Sequence, residues 1–237
     1  MVKSAFLDKE LNKKFNLTSA NSINIARWLP QSLYYFFAFK KLKKANLVFS
    51  VPSGNFGNIC AGLITIKLGL PIKHFVASTN INDTIPRYFE SQDFKPKPTI
   101  QTISNAMDVS NPSNFVRIQE MFKNFKNLSK FMSSYSFNDD QTLAKIKKTY
   151  YNKKYVLDPH GAIGYLGLKK YLSINPKKIG VFLETAHPIK FSKHIEKVIN
   201  RKLTIPDKIK KILEKDKNYI DIKNYSDFKK KMLQMEF

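Results

Sequence analysis

Short apolar runs alternate along this chain with longer segments in which apolar residues recur at helical spacing. The runs 47–51, 74–78 and 179–183 are rich in β-branched and aromatic residues, a composition typical of buried parallel strands. Helical spacing covers 21–45, 59–70, 84–91, 112–122, 139–151, 159–172, 189–200, 206–215 and 225–234. Strands that alternate with helices predict an α/β fold, a three-layer parallel sheet with helices on both faces.

Three segments depart from this alternation. Pro30 lies inside the first helical segment and is expected to kink or restart that helix. The segment 95–111 carries prolines and short polar side chains, which predict a long ordered loop. The first 17 residues are polar and charged, and we expect no complete element there. Such a start suggests that the chain continues from an upstream part or docks on a partner.

The charge of the chain is strongly positive, with 41 Lys and Arg against 18 Asp and Glu, a net charge of +23. Charge of this size raises the prospect of nucleic-acid binding. The lysines are nevertheless scattered over nearly every helix, arginine is rare, and neither zinc-finger spacing nor an RNA-recognition aromatic motif is present. Phosphorylated small molecules are therefore favoured over nucleic acid as the anionic partner.

The composition also bears on the cellular compartment of the protein and on metal binding. No apolar run reaches the length of a membrane span, and the first residues lead into no signal-type segment, so we expect a soluble, cytoplasmic protein without a membrane partner. The single cysteine, Cys60, excludes an internal disulfide and is expected to be a buried thiol. The four histidines show no metal-ligand spacing, and no metal site is predicted.

The segment 51–58, Val-Pro-Ser-Gly-Asn-Phe-Gly-Asn, lies where a predicted strand turns into a helix. Gly54 and Gly57 can take positive φ and let a ligand approach the backbone. Successive N–H groups and the helix N-terminus behind them suit a phosphate dianion. An ordinary βα turn is the alternative.

Polar side chains follow three of the predicted strands, at 53–58, 79–83 and 184–187. The carboxyl ends of parallel strands share one edge of the sheet, so these groups are predicted to converge on one small-molecule site.

Five motifs in order resemble threonine synthase, a pyridoxal-phosphate enzyme of the tryptophan-synthase-β-like fold (fold type II). They are Ser-Ala-Asn-Ser-Ile-Asn at 19–24 with Arg27, the segment 51–58, Ala-Ser-Thr-Asn-Ile-Asn-Asp-Thr at 77–84, Ser-Asn-Ala-Met-Asp at 104–108, and Glu-Thr-Ala-His-Pro at 184–188. The resemblance implies O-phospho-L-homoserine and water as substrates, and L-threonine and phosphate as products.

The resemblance also implies roles for individual residues. The cofactor phosphate would be held by Gly54, Asn55, Phe56, Gly57 and Asn58. The Thr185 hydroxyl would lie at the pyridine nitrogen and tune how strongly the cofactor withdraws electrons. Ser22, Arg27 and Asn55 would bind the phosphate of the substrate, for which the planar arginine fork is suited. The alternatives are a solvated helix charge for Arg27, a turn residue for Asn55 and a strand-end cap for Thr185.

The catalytic lysine of the family has no counterpart in this chain. In the family an upstream domain carries it, in a Phe-Lys-Asp-type motif, and it forms the Schiff base with the cofactor. We therefore expect 1–237 to be a C-terminal cofactor-phosphate-binding domain, inactive alone, that works with an N-terminal domain in cis or in trans. A truncated sequence, a split gene and a decaying gene would each explain this.

Two other functions stay open at this point. One is another pyridoxal-phosphate lyase of the same fold, such as a serine/threonine dehydratase. The other is a non-catalytic remnant or basic binding module, whose nucleic-acid binding would be salt-sensitive and unaffected by Gly57→Asp.

Overall fold

The computed structural model describes residues 1–235 and shows two compact units. The sheet unit comprises Asn21–Thr204, and the terminal unit comprises Met1–Ala20 with the chain from Ile205 onward. That both belong to one functional domain over 1–237 stays a prediction. None of the described helices is long and apolar enough to cross a lipid bilayer.

Within residues 1–235 the sheet contains four parallel strands, in the order β3-β2-β1-β4. They are β1 (Leu47–Pro52), β2 (His74–Thr79), β3 (Met132–Ser136) and β4 (Ile179–Phe182). The three predicted strands are confirmed to within a residue. Strands β1 and β2 are fully buried, as expected, whereas β4 is only partly buried because it lies at an edge of the sheet. Strand β3 was not predicted, since its sequence Met-Ser-Ser-Tyr-Ser has more hydroxyl than apolar side chains.

The helices match the predicted segments closely. In chain order they are α1 (Val2–Leu7), α2 (Lys9–Lys14), α3 (Ile25–Trp28), α4 (Ser32–Leu42), α5 (Gly57–Lys67), α6 (Thr84–Ser91), α7 (Phe115–Phe122), α8 (Phe125–Ser129), α9 (Asp139–Lys153), α10 (Pro159–Ile174), α11 (Ser192–Ile199), α12 (Asp207–Leu213) and α13 (Tyr225–Leu233). Pro30 lies in a 3₁₀ turn, Leu29–Gln31, between α3 and α4, as expected. The short helices α1, α2 and α8 were not predicted.

Alternate side chains of the strands face two different helix layers. Val48 and Val76 pack with Leu168 and Tyr171 of α10 on one face. Phe49 and Phe75 belong to the main core on the other face, together with residues of α4 and α5. The predicted three-layer arrangement is confirmed.

The expectation of no complete element in the first 17 residues is wrong, because this segment forms α1 and α2. Asp8 caps α2 by accepting the backbone N–H groups of Glu10 and Leu11 at 3.0 and 3.2 Å. Within the same unit, Lys229 and Tyr225 of α13 bind the Asp8 carboxylate at 2.9 and 2.8 Å. Hydrogen bonds from Lys229 and Tyr225 lower the pKa of Asp8 to about 2. A charged side chain, invisible to apolar periodicity, thus organises these helices.

Candidate active site

The turn between β1 and α5 presents the first backbone amides of the helix without a side-chain cap. Ser53 donates its N–H to the Ser78 carbonyl at 2.8 Å, which extends the pairing of β1 with β2. Phe56 then takes a left-handed conformation, with φ of 61°, and α5 starts at Gly57. No side chain of the N-cap residue accepts a bond from this turn, and it contains no acidic residue. First-turn N–H groups have no intrahelical partner, so this end of α5 suits an anion.

The two glycines of the turn serve close packing, and positive φ falls on Phe56 instead. A Cβ at Gly54 would lie 2.7 Å from the Met107 Cα, and one at Gly57 would lie 3.1 Å from the Ser22 Cβ. The turn is therefore wedged between the segments that carry Ser22 and Met107. Gly54 and Gly57 do not use the positive φ that glycine allows; Phe56 takes it instead, one residue before the helix starts.

Ser22 and Asn55, both predicted to bind the substrate phosphate, are joined directly. Asn55 donates its Nδ2 to the Ser22 Oγ at 2.7 Å. Its Oδ1 accepts from Ser113, at 2.7 Å from the backbone N–H and 2.9 Å from the hydroxyl. Arg27, the third predicted residue, is exposed on α3. The structure therefore brings two of the three together.

Asn114 and Arg117, which sequence reasoning missed, hold these segments in place. Asn114 is fully buried and donates its Nδ2 to the carbonyls of Ser22 and Asn55, at 3.0 and 2.9 Å. Arg117 donates to the Asn114 Oδ1 at 2.6 Å and to the Ile23 carbonyl at 2.8 Å. We call Ser22, Asn55, Asn114 and Arg117 the loop clamp. The only available signal was a polar pair three residues apart at the start of an amphipathic helix.

Asn58 and Thr185 line one pocket of about 360 Å³ at the carboxyl edge of the sheet. The neighbouring strands β1 and β4 bring them together, because Leu183 donates to the Ser50 carbonyl at 3.0 Å just before Thr185. The remaining lining residues are Gln31, Tyr34, Leu183 and Glu184. The Asn58 Oδ1 accepts a bond from the buried Tyr35 hydroxyl, which fixes the side chain. The predicted meeting of the first and last strand ends is confirmed.

The polar residues after β2 do not join this pocket. Asn80 donates to Asp108 at 2.8 Å, and Asn82 donates to the Ile100 carbonyl at 2.9 Å. Thr102 also donates to Asp108, through its hydroxyl at 2.8 Å and its N–H at 3.0 Å. The expectation that 79–83 shares the site is wrong, because these side chains anchor the loop 95–111.

Two carboxyl groups and a histidine lie together at the first turn of α10. Asp158 caps this helix and accepts from the His160 Nδ1 at 2.8 Å, with both side chains buried. Glu184 is exposed as a residue, but its carboxyl group lies against Gly161 and Asp158. Burial and the Asp158 carboxylate raise the pKa of Glu184 to about 8. Burial alone would raise the pKa of Asp158, but hydrogen bonds from His160 and Glu184 lower it.

These donors fit a phosphorylated aromatic ligand. The uncapped first turn of α5 supplies backbone donors for a phosphate group. Thr185 supplies a hydroxyl in the pocket that Asn58, on this turn, also lines. The volume of the pocket lies in the range of small-molecule sites.

Comparison with known proteins gives a consistent picture. The family model described as "Threonine synthase, C-terminal" matches residues 161–232. Threonine synthase of Haemophilus influenzae is 49% identical over 218 residues, covering 89% of this chain and 50% of that protein. Threonine synthase of Escherichia coli is 43% identical over 216 residues, covering 88% and 49%. The chain spans about half the length of the curated relatives that it matches.

Solved structures agree in fold. The Escherichia coli threonine synthase superposes with a TM-score of 0.83 at 42% identity, covering 90% of this chain and 50% of that one. A structure titled as threonine synthase with bound pyridoxal phosphate, from Brucella melitensis, gives 0.84 at 30% identity, covering 92% and 52%. A tomato threonine deaminase, with a TM-score of 0.55 at 15% identity over 71% of this chain and 48% of that one, shares the fold alone.

The architecture is that of the fold type II enzymes. Within this class, the sequence identities single out one family. The chain matches the C-terminal part of the threonine synthase family.

Proposed function

We propose that this chain forms the cofactor-phosphate and substrate-phosphate sites of a threonine synthase, which converts O-phospho-L-homoserine and water to L-threonine and phosphate. The observation that supports this most directly is the pocket lined by both Asn58 and Thr185. These residues lie 127 positions apart in the sequence, and each was assigned to the cofactor on independent motifs.

The residues around the pocket divide the binding of pyridoxal phosphate between them. Its phosphate would be held by the backbone amides of the turn and of the first turn of α5, at Gly54, Asn55, Phe56, Gly57 and Asn58. The Thr185 hydroxyl would lie at the ring nitrogen, where a neutral partner would not favour ring protonation. When bound, the cofactor supplies an electron sink that stabilises negative charge on the substrate carbon skeleton.

Ser22, Asn55 and Arg27 bind the substrate phosphate in this proposal. The bond between Asn55 and Ser22 places a hydroxyl and an amide at one point. Arg27 lies on the exposed side of α3, where an entering dianion can reach its guanidinium. Asn114 and Arg117 hold the two segments and are positioning residues.

The amine that the reaction requires comes from an N-terminal part, in cis or in trans. The described residues that line the pocket include no lysine. Proton transfer and covalent attachment to a carbonyl cofactor need a placed amine. We therefore propose that this chain alone makes no threonine. We also propose a cytoplasmic location for the protein. Cys60 is a free, buried thiol.

The test is reconstitution with the lysine-bearing part of the Haemophilus influenzae relative. The two polypeptides are co-expressed, and release of phosphate and threonine from O-phospho-L-homoserine is measured. We expect activity from the pair and none from either part alone. Thr185→Val should lower kcat, whereas Thr99→Val, at an exposed threonine of the loop 95–111, should leave it unchanged.

The substrate class is tested with the same pair. Ser22→Ala and Arg27→Ala should raise KM for O-phospho-L-homoserine by at least tenfold. Formation of 2-oxo acid from serine or threonine, unaffected by these substitutions, would identify a dehydratase instead. Threonine formation by this chain alone would overturn the need for a second part.

A further inference from the structure

The helical segment that borders the pocket exposes a row of large apolar side chains. They follow one another at four-residue spacing along α3, the 3₁₀ turn and α4, which places them on one side of the segment. Their exposed fractions lie between 42% and 68%. We call them the apolar row: Ile25, Leu29, Leu33 and Phe37.

The opposite side of the segment already makes the contacts that hold it in the sheet unit. Trp28, Ser32 and Tyr35 are buried there. The Tyr35 ring meets Phe49 and Phe75 edge-on, with centroids 5.1 and 5.2 Å away. None of the four side chains of the apolar row belongs to the main core of the sheet unit or to the partly buried residues packed against it.

The segment that carries the row is also poor in charged residues for this chain. In a chain of net charge +23, Arg27 is the only charged residue between Ile25 and Phe37. By contrast, α9 carries four lysines over its 15 residues. Contiguous exposed apolar surface on a protein marks an interaction site more often than a solvated face.

The pocket continues directly into this surface. Gln31 and Tyr34, between members of the row, line the pocket together with Asn58 and Thr185. Any polypeptide that covers the row therefore also borders the pocket.

We propose that the apolar row is the docking surface for the lysine-bearing half of the enzyme. This inference rests on the proposed function, which needs an amine delivered to the pocket from outside the sheet unit. The relatives of this chain are about twice its length, so they contain a further segment of matching size. A segment seated on the row has its edge at the pocket, where the amine is needed.

The test uses the full chain co-expressed with a tagged polypeptide that comprises the part of the Haemophilus influenzae relative preceding the matched region. We expect equimolar recovery of the wild-type chain on the tag. Leu33→Glu and Phe37→Glu should each lower recovery at least tenfold. The matched control is Ile174→Glu, at a side chain 71% exposed. Ile174 is the last residue of α10. The next residue, Asn175, lines a depression together with Asn46, which lies at the end of β1 away from the pocket.

Folding of the variants is checked by circular dichroism and thermal unfolding. A second measurement needs no variant: amide hydrogen exchange over 25–37 should slow in the wild-type complex relative to the chain alone. Exchange that stays unchanged would overturn the proposal.

Three further outcomes would also overturn it. The first is failure of the wild-type chain to co-purify, and the second is equal recovery of the three variants. The third is a dimer of the chain alone that Phe37→Glu dissociates, because the occupant of the row would then be a second copy of this chain. Co-purification lost in the two row variants, but without threonine formation by the wild-type pair, would support docking and contradict the proposed function. The two failures are thus distinguishable.

Discussion

Replacing Asn114 with alanine tests whether the loop clamp holds the site together. The substitution removes two bonds donated to the carbonyls of Ser22 and Asn55 and one accepted from Arg117. Neutral hydrogen bonds contribute about 0.5–1.5 kcal/mol each, and bonds to charged groups about 1.5–3 kcal/mol. Arg117 is half-buried and keeps its bond to the Ile23 carbonyl, so the lower end applies. We expect Asn114→Ala to lower the free energy of unfolding by about 3 kcal/mol.

The assay is urea unfolding followed by the fluorescence of Trp28, the single tryptophan, which is buried in the sheet unit. The matched control is Ser113→Ala, which removes one exposed hydroxyl bond while the Ser113 N–H still donates to Asn55 at 2.7 Å. The control should cost less than about 1 kcal/mol. The reasoning is refuted if Asn114→Ala costs no more than Ser113→Ala. Faster amide exchange at 55–58 in Asn114→Ala would locate the effect at the turn.

Three other substitutions test packing and titration. Glu184 has its pKa raised to about 8 by burial and the Asp158 carboxylate, so its contribution to stability is present below pH 4.5 and is lost as pH rises towards 8. The thermal unfolding temperature of Glu184→Gln should therefore fall less between pH 5 and 8 than that of the wild type. His74 has its pKa lowered to about 4 by burial, so the wild type should lose stability as pH falls from 6.5 to 4, and His74→Gln should lose less. Gly167→Ala should cost about 1–3 kcal/mol, because a Cβ there overlaps the buried Ser78 Oγ.

Each of these three has an outcome that contradicts it. Parallel pH profiles for the wild type and Glu184→Gln would show that the carboxyl group titrates normally. Parallel pH profiles for the wild type and His74→Gln between pH 6.5 and 4 would show the same for the His74 imidazole. An unchanged urea midpoint for Gly167→Ala would mean that α10 moves away from the sheet at no cost. Adding Ser78→Ala to that variant should recover part of the loss, since the overlapping oxygen is then gone.

The strands and the pocket could be predicted because one physical rule governs both. Buried strands between two helix layers must be apolar on both faces, so their sequences are distinctive. The carboxyl ends of parallel strands share an edge, which places Asn58 near Thr185 without any knowledge of distances. Strand β3 lacks this signature because hydroxyl side chains form much of it, and the Ser134 hydroxyl donates to the Ala77 carbonyl at 3.0 Å.

The loop clamp could not be predicted, because nothing local marks it. Asn114 contacts Ser22 and Asn55 across 92 and 59 positions of the sequence. Its side chain acts on backbone carbonyls, and any residue offers a carbonyl, so the partners carry no compositional signal. The network of Asn80 and Asp108 differs from the loop clamp only in that both residues lie in segments of polar sequence. Polarity marked those segments, yet it could not distinguish a ligand site from a loop anchor.

The two arginines near Ser22 have different surroundings in the structure, which separates a positioning role for Arg117 from the substrate-phosphate role that the resemblance implied for Arg27. Arg117 directs its guanidinium at the Asn114 Oδ1 and the Ile23 carbonyl, so its charge is used to hold two segments of the protein together. Arg27 is exposed on α3, in the segment that leads through Gln31 and Tyr34 to the pocket. An incoming phosphate dianion can therefore reach Arg27 without breaking the loop clamp. Arg117→Lys should then act mainly on stability, because lysine cannot reproduce the fork, whereas Arg27→Lys should act mainly on KM.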